Sequence, residues 1–296
     1  MVSVVISESR DPYYNVALEK YLFSGAFSED IIYFWQNAPC VVIGRNQNVF
    51  LECNLDYMKE KGILPVRRFS GGGAVYQDSG NLNFTYITNK ENDGFIAERI
   101  KNALSAFGIE SVTSARNDLL YNGKKFSGTA YLTEGERRMY HGTLMINVDI
   151  ENLYNVLTPS ELKIKSHGID SVKSRVINLS TVSTEISAEK FISVFVDALS
   201  EKRVLKIENE PEVEKIRNMI SSEKWIFGEA PKFEAMLEYK IGGNLLQVNA
   251  EVKNGIVEKA KVFSDALEET DTEKLAKKII GRAFDEKEIR TVLEKE

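Results

Sequence analysis

The chain has 296 residues, 43% hydrophobic and 28% charged, with a net charge of -6. These are ordinary values for a globular protein of one or two domains, and they exclude a disordered or fibrous chain. The acidic balance argues against a nucleic-acid partner, which calls for a basic face. Two cysteines, Cys40 and Cys53, make no disulfide framework, and two histidines are too few for a closed Cys/His zinc site. No apolar run reaches membrane-spanning length, so no membrane partner is expected. The start MVSVVISESRDPYYN has neither a basic signal-peptide head nor an Arg-rich transit segment, so a reducing, cytoplasmic setting is expected.

In chain order, Asp11 and Pro12 start a helix: a capping carboxylate, then a residue with φ pre-set for the first turn. Tyr14, Leu18, Tyr21, Leu22 and Gly25 share one face of it. Residues 31–36 and 40–44 read as strands around a turn at 37–39. Asn54 caps a short helix that Gly62 closes. Residues 63–67 form a strand running into Ser70-Gly71-Gly72-Gly73; 74–77 and 82–88 are strands around a turn at 78–81. A helix spans 93–107, closed by Gly108. Asn122-Gly123 between 119–121 and 124–126 is a tight-hairpin signal. Residues 143–148 form a strand, 187–198 a helix capped by Ser187, and 212–221 a further helix. Residues 225–233 read as a connector. Strands at 235–240, 244–253 and 255–263 follow, then a helix with Thr270 and Glu273 as its capping box, ending at Gly281.

Four segments can carry chemistry. In Arg67-Arg68-Phe69-Ser70-Gly71-Gly72-Gly73-Ala74-Val75, three glycines leave a strand beside permanently charged, planar donors, which suits a phosphate or carboxylate. A bare triple glycine would be only a flexible loop; the arginines and strand strengthen the binding reading. The loop is neither a Walker A loop nor a Rossmann fingerprint. The second segment runs from Asn117 to Gly128 and holds Lys124 and Lys125, which taken alone are a solvated hairpin tip. The third is Tyr140-His141-Gly142-Thr143-Leu144, where a lone histidine is more often structural. The fourth, Gly168 to Val176, alternates basic and polar residues and suits a phosphate or a plain exposed loop.

Taken together and in this order, RRFSGGGAVYQDSGNLNFTY, NDLLYNGKKFSGTA, YHGTLMIN and KSHGIDSVKSRVINL resemble the lipoate–protein ligase A family. GRNQN at Gly44–Asn48, ECN at Glu52–Asn54 and WIFGEAPKFE at Trp225–Glu234 match it as well. The resemblance implies an α+β fold of mixed β-sheets with surrounding helices, as in biotin protein ligases and class II aminoacyl-tRNA synthetases. It implies a catalytic lipoate/adenylate-binding domain over 1–227 and a small α+β C-terminal accessory domain over 228–296. The implied reaction has two steps: lipoate and Mg-ATP give lipoyl-AMP, then a lysine of a lipoyl carrier domain takes the lipoyl group. Implied acceptors are the acyltransferase subunits of 2-oxoacid dehydrogenases and the glycine cleavage H protein.

By the same resemblance, Lys125 is the lysine that contacts the acyl-adenylate, with Lys124 its nearest competitor. Arg68, Ser70, Gly71, Gly72, Gly73 and Val75 belong to the lipoate pocket. Asn81, Asn83, Ser127 and Gly128 lie where the family meets the adenylate. Asp118 is placed to hold Mg2+ or a nucleotide edge, and His141 and Gly142 lie on the opposing wall. Gly168, Val172, Ser174, Arg175 and Val176 belong to a loop closing over the adenylate. Gln77 departs from the family, where many relatives carry histidine, so no general base is assigned. The alternative is a lipoyl or octanoyl transferase using a preformed activated or carrier-bound donor. Its cysteine form lacks a nucleophile here, because both cysteines precede Arg67. Lys124, Arg137, Arg138, Lys163, Lys165, Lys173 and Arg175 are candidates to meet an acidic carrier.

Overall fold

Strand Asn81–Thr88 is buried at every residue, and a strand with both faces covered belongs in the middle of a sheet. In the computed structural model it is third in a six-stranded sheet. The structure describes residues 1–25, 27–89, 95–114, 118–158, 176–227, 235–253, 255–267 and 270–294. The large sheet runs Thr129–Glu134, Arg137–Met145, Asn81–Thr88, Asp30–Trp35, Val2–Ile6, Lys202–Leu205. Its first four strands pair antiparallel, and Val2–Ile6 is parallel to both of its neighbours. A second sheet orders Leu64–Arg67, Cys40–Ile43 and Val75–Gln77, and a third holds the hairpin Leu119–Tyr121 and Lys124–Ser127 beside Val112–Thr113. The expected α+β class with mixed sheets is therefore the fold.

Side chains alternate across each strand, and the two faces of the large sheet have separate cores. Ile32 and Phe34 pack with Ile96 and Ile100 of helix Phe95–Ser105 and with Phe191 and Phe195 of helix Ala188–Asp197. Ile31, Tyr33 and Trp35 pack on the other side with Val16, Leu18 and Leu22 of helix Pro12–Phe23 and with Val213 and Ile220 of helix Pro211–Ile220. A third core is confined to Tyr239 through Leu293, where the strands Ala235–Ile241, Asn244–Lys253 and Ile256–Ser264 carry helices Thr272–Ile279 and Glu286–Leu293.

Several local readings change. The helix capped by Asp11 buries Asn15, Val16, Leu18, Glu19, Leu22 and Phe23, whereas Tyr14 and Tyr21 are half-buried. It is wedged between a sheet and a second helix, so more than one stripe is covered. The strands on either side of the turn at 78–81 enter different sheets. The strand expected at 143–148 begins earlier and ends at Met145, and it forms a hairpin with the unforeseen strand Thr129–Glu134 through Gly135, φ 61°. Asp271, not Thr270, caps the helix Thr272–Ile279, its side chain accepting from the Lys274 N–H. The expected connector begins inside a short helix, Glu223–Phe227.

That short helix is fastened by Arg67. Arg67 Nε donates to the Trp225 and Ile226 carbonyls at 3.1 and 3.0 Å, and Nη2 donates to Ile226 at 2.6 Å. Nη1 reaches the carbonyls of Gly44, Arg45 and Gln47 at 3.0, 3.1 and 2.7 Å. Trp225 returns a bond from Nε1 to the Arg67 carbonyl at 2.9 Å, and its ring carries the Arg45 guanidinium. A lysine cannot span two sets of carbonyls from one nitrogen. Arg67→Lys should therefore lower the unfolding free energy by about 2 kcal/mol, which urea titration followed by tryptophan fluorescence will read.

Candidate active site

Arg68 follows Arg67, the last residue of the strand, and its side chain turns into the loop that leaves it. Its guanidinium is buried and curls the loop around itself. Nε donates to Ser70 Oγ at 3.0 Å, Nη1 to the Val42 carbonyl at 3.1 Å, and Nη2 to the Gly71 and Gly73 carbonyls at 2.6 and 2.8 Å. Each peptide is planar and trans, so carbonyls turned inward turn the following N–H groups outward. The Gly72 N–H accordingly meets the Ala266 carbonyl of the C-terminal unit at 2.8 Å. Gly72 has φ +88°, a region that favours glycine. A Cβ on Gly71 would strike that same Ala266 carbonyl. GRNQN packs alongside: the Arg45 N–H donates to Ser70 at 2.8 Å, and a Cβ on Gly44 would strike the Gly72 carbonyl. Burial lowers the Arg68 pKa to about 10, partly offset by the charge of Glu19.

Beside the loop lies a cavity of about 150 Å³. Arg68, Gly72, Gly73, Val75, Asn83 and Lys125 line it, as do Gly128, His141 and Gly142. The structure thus brings three of the four segments to one place. Ser70 is fully buried behind it, its Oγ 2.7 Å from His141 Nε2. Asn81 Nδ2 donates to Asn83 Oδ1 at 3.0 Å, and Asn83 Nδ2 donates to Gln77 Oε1 at 3.2 Å. Gln77 Oε1 also accepts from Asn37 at 2.8 Å, so Gln77 fixes the asparagines on either side of it. Ser127 is buried, and its Oγ makes no hydrogen bond among the described residues. Val176 bridges Lys125 in parallel, with the Ile177 N–H on the Lys125 carbonyl at 3.0 Å. Gly168, Val172, Ser174 and Arg175 lie outside the described residues.

The hairpin sets which of the two lysines faces the cavity. Asn122 and Gly123 have φ 48° and 75°, as a two-residue turn of type I′ needs. Alternation then leaves Lys124 exposed and turns Lys125 to the cavity. Lys125 Nζ is 2.9 Å from Asp118 Oδ1. A Cβ on Gly128 would come within 2.9 Å of that Nζ, so glycine leaves the space the ammonium needs. With its carboxylate on Lys125, Asp118 does not by itself form a metal site, and no group of three His, Cys, Asp or Glu able to hold a metal occurs among the described residues. The described residues by themselves therefore form no magnesium cage. Arg137, a candidate for carrier docking, donates to the Phe23 and Leu22 carbonyls at the end of helix Pro12–Phe23, at 3.1 and 3.2 Å. Lys163, Lys165 and Lys173 lie outside the described residues.

The sequence did not point to Val16, Glu19, Trp35, Val42, Thr129 or Ala130 as cavity walls. Glu19 left one signal: a carboxylate between Leu18 and Leu22 on the apolar side of a helix. Cys40 and Cys53 are buried, do not line the cavity, and have pKa values pushed up to about 12 by burial.

The mixed sheet and its lysine-bearing cavity define a catalytic domain of the acyl-ligase kind: residues 11–200 match the lipoyl protein ligase A/B catalytic domain, and residues 230–296 match the bacterial lipoate protein ligase C-terminus. Proteins called lipoate-protein ligase A from Blochmanniella pennsylvanica and Bdellovibrio bacteriovorus are 35% and 33% identical over 97% and 99% of the chain, and 90% and 91% of their own lengths are covered. The chain belongs to the lipoate–protein ligase A family. Plasmodium falciparum LipL1, solved in complex with lipoate, is 29% identical with a TM-score of 0.83, covering 100% of this chain and 95% of its own. A Thermoplasma acidophilum bipartite lipoate protein ligase, solved with its E2 lipoyl domain, shares the fold at 23% identity and TM-score 0.67, over 79% of this chain and 98% of its own. No described helix is long and apolar enough to cross a membrane.

Burial keeps both thiols neutral, and a neutral thiol is a poor nucleophile. At pH 8 the native protein should leave a disulfide reagent such as DTNB unreacted, whereas denatured protein releases two equivalents of chromophore, one per cysteine. Rapid labelling of the native chain would reopen a cysteine-based transfer.

Proposed function

We propose that the cavity activates free lipoate with ATP to lipoyl-AMP and passes the lipoyl group to a lysine of a lipoyl carrier domain. The observation that carries this reading is Lys125, turned into a glycine-lined cavity and held there by Asp118. A carboxylate is a poor electrophile; as a mixed anhydride with AMP it gains a good leaving group. The carboxylate oxygen attacks the α-phosphorus, the bond to the β-phosphate oxygen breaks, and pyrophosphate leaves. The carrier amine then attacks the acyl carbon, AMP leaves, and the amine proton is lost. Lys125 Nζ is suited to balance the charge that builds on the α-phosphate oxygens in the first step and on the acyl oxygen in the second.

Arg68 acts on the acid through the loop it shapes, since its donors are committed to Ser70 and to carbonyls. Gln77 cannot carry a proton, and both ring nitrogens of His141 already have partners, so neither is assigned as the base. Magnesium, as the usual companion of ATP, would arrive on the phosphates, which suits its preference for phosphate oxygens and few protein ligands. Gly168, Val172, Ser174 and Arg175, with Val176, keep their role as a closing loop by resemblance alone. Carrier domains of 2-oxoacid dehydrogenases and the glycine cleavage H protein are the proposed acceptors. The proposed compartment is the cytoplasm, a setting in which the two free thiols stay reduced. The proposed division at 227/228 is supported by the separate core of the C-terminal strands and helices.

Incubation with lipoate, Mg-ATP and an apo carrier domain should add one lipoyl group to the carrier, read by intact mass and dependent on ATP. A carrier modified only when lipoyl-AMP is supplied would make the protein a transferase instead. Lys125→Ala should fold normally and lose roughly a hundredfold or more in adenylate formation, measured by pyrophosphate release. Gly72→Leu, forced into a positive φ beside Arg68 Nη2 at 3.0 Å, should weaken lipoate binding by about tenfold in calorimetry.

A further inference from the structure

A chain of hydrogen bonds runs behind the cavity and converges on one carboxylate. Trp35 Nε1 donates to Thr85 Oγ1 at 3.3 Å, and Thr85 Oγ1 donates to Glu19 Oε1 at 2.6 Å. From the other side, Arg68 Nε donates to Ser70 Oγ at 3.0 Å, Ser70 Oγ stands 2.7 Å from His141 Nε2, and His141 Nδ1 stands 2.8 Å from Glu19 Oε1. Glu19 is 1% exposed, and one of its oxygens, Oε1, receives both branches.

The order Ser70–His141–Glu19 copies the spacing of a hydrolytic triad, but the serine cannot act as one. Ser70 is fully buried, is absent from the cavity wall, and already accepts from Arg68. The relay therefore works on position. An Nδ1 without a proton would set two acceptors face to face 2.8 Å apart, so the carboxylate fixes the proton on Nδ1. In the neutral ring Nε2 is then an acceptor, Ser70 turns its hydroxyl proton toward it, and the Oγ lone pairs are free for Arg68. With that tautomer the Ser70 hydroxyl faces His141 Nε2 at 2.7 Å in preference to its longer alternative, the Gly71 carbonyl at 3.4 Å, and the Nδ1 and Thr85 protons both point at Glu19. Such a network is polarised and rigid.

We propose that Glu19 is a positioning residue of the acid-binding site: by fixing the His141 tautomer it sets Ser70, and through Ser70 it keeps Arg68 inside the glycine loop. The kinetic part of its test rests on the ligase reading; the spectroscopic part does not.

The chain contains two histidines, so 15N-histidine NMR of the ligand-free protein resolves the ring, with His167→Asn assigning the signals. The expected result is an Nδ1–H, neutral His141 in the wild type and a shift toward Nε2–H in Glu19→Ala. Lipoate KM in the variant should rise about tenfold or more while kcat for adenylate formation changes less than about threefold, because the loop and not the lysine is disturbed. Glu19→Gln, whose amide oxygen can still accept from Nδ1–H, should keep the wild-type ring and a KM within about threefold. An Nε2–H or imidazolium ring in the wild type overturns the proposal, as does a Glu19→Ala variant with the ring or KM unchanged. Should Glu19→Ala fail to fold, the wild-type ring and the Glu19→Gln KM decide; a large KM rise in Glu19→Gln with the ring unchanged also overturns it. Inactive but spectroscopically normal wild type would count against the ligase reading alone.

Discussion

Two neighbouring arginines, each buried and each bonded to backbone carbonyls, organise this molecule. Arg67 ends one short strand and Arg68 begins the loop after it, and their guanidiniums reach different sets of carbonyls. Arg67 gathers Gly44, Arg45 and Gln47 with the end of helix Glu223–Phe227; Arg68 gathers Val42, Gly71 and Gly73. Guanidinium is suited to this because it offers planar donors in fixed directions and stays charged even when burial lowers its pKa to about 10. The glycines matter in the same frame. They let carbonyls face inward on the arginine, and that leaves amide groups facing outward.

Much of this was legible from residue types. Asp11-Pro12, Asn54 with Gly62, Asn122-Gly123 and Ser187 each carry a local physical instruction, and the chain follows each one. What could not be read was set by distant partners. Whether the strands before and after the turn at 78–81 pair with each other depends on Asp30–Trp35 and Arg137–Met145 arriving from elsewhere. Asp271 and Thr270 both suit a cap, and only the backbone path selects between them. The role of Glu19 is set by His141, 122 positions away, and Thr85, 66 away.

The site shows a similar division. Which lysine faces the cavity follows from turn type and alternation, which are local. The duties of Arg68 and Gln77 do not. Arg68 reads as an acid-binding cation, yet its donors are taken up by Ser70 and the carbonyls of Val42, Gly71 and Gly73. Gln77 reads as a lost proton carrier, yet its oxygen collects two asparagine amides. A residue type constrains what a side chain can do; its saturation by neighbours decides what it does.

The contact between Gly71 and Ala266 has a consequence for how such chains diverge. Any side chain at position 71 would meet a main-chain oxygen, which every residue at position 266 possesses. No substitution at 266 can therefore make room for one at 71, and the pair can touch through evolution without leaving a covarying signal. The glycine answers to the path of the C-terminal backbone, and a searcher for correlated positions would overlook one of the closest meetings between the two parts of the chain.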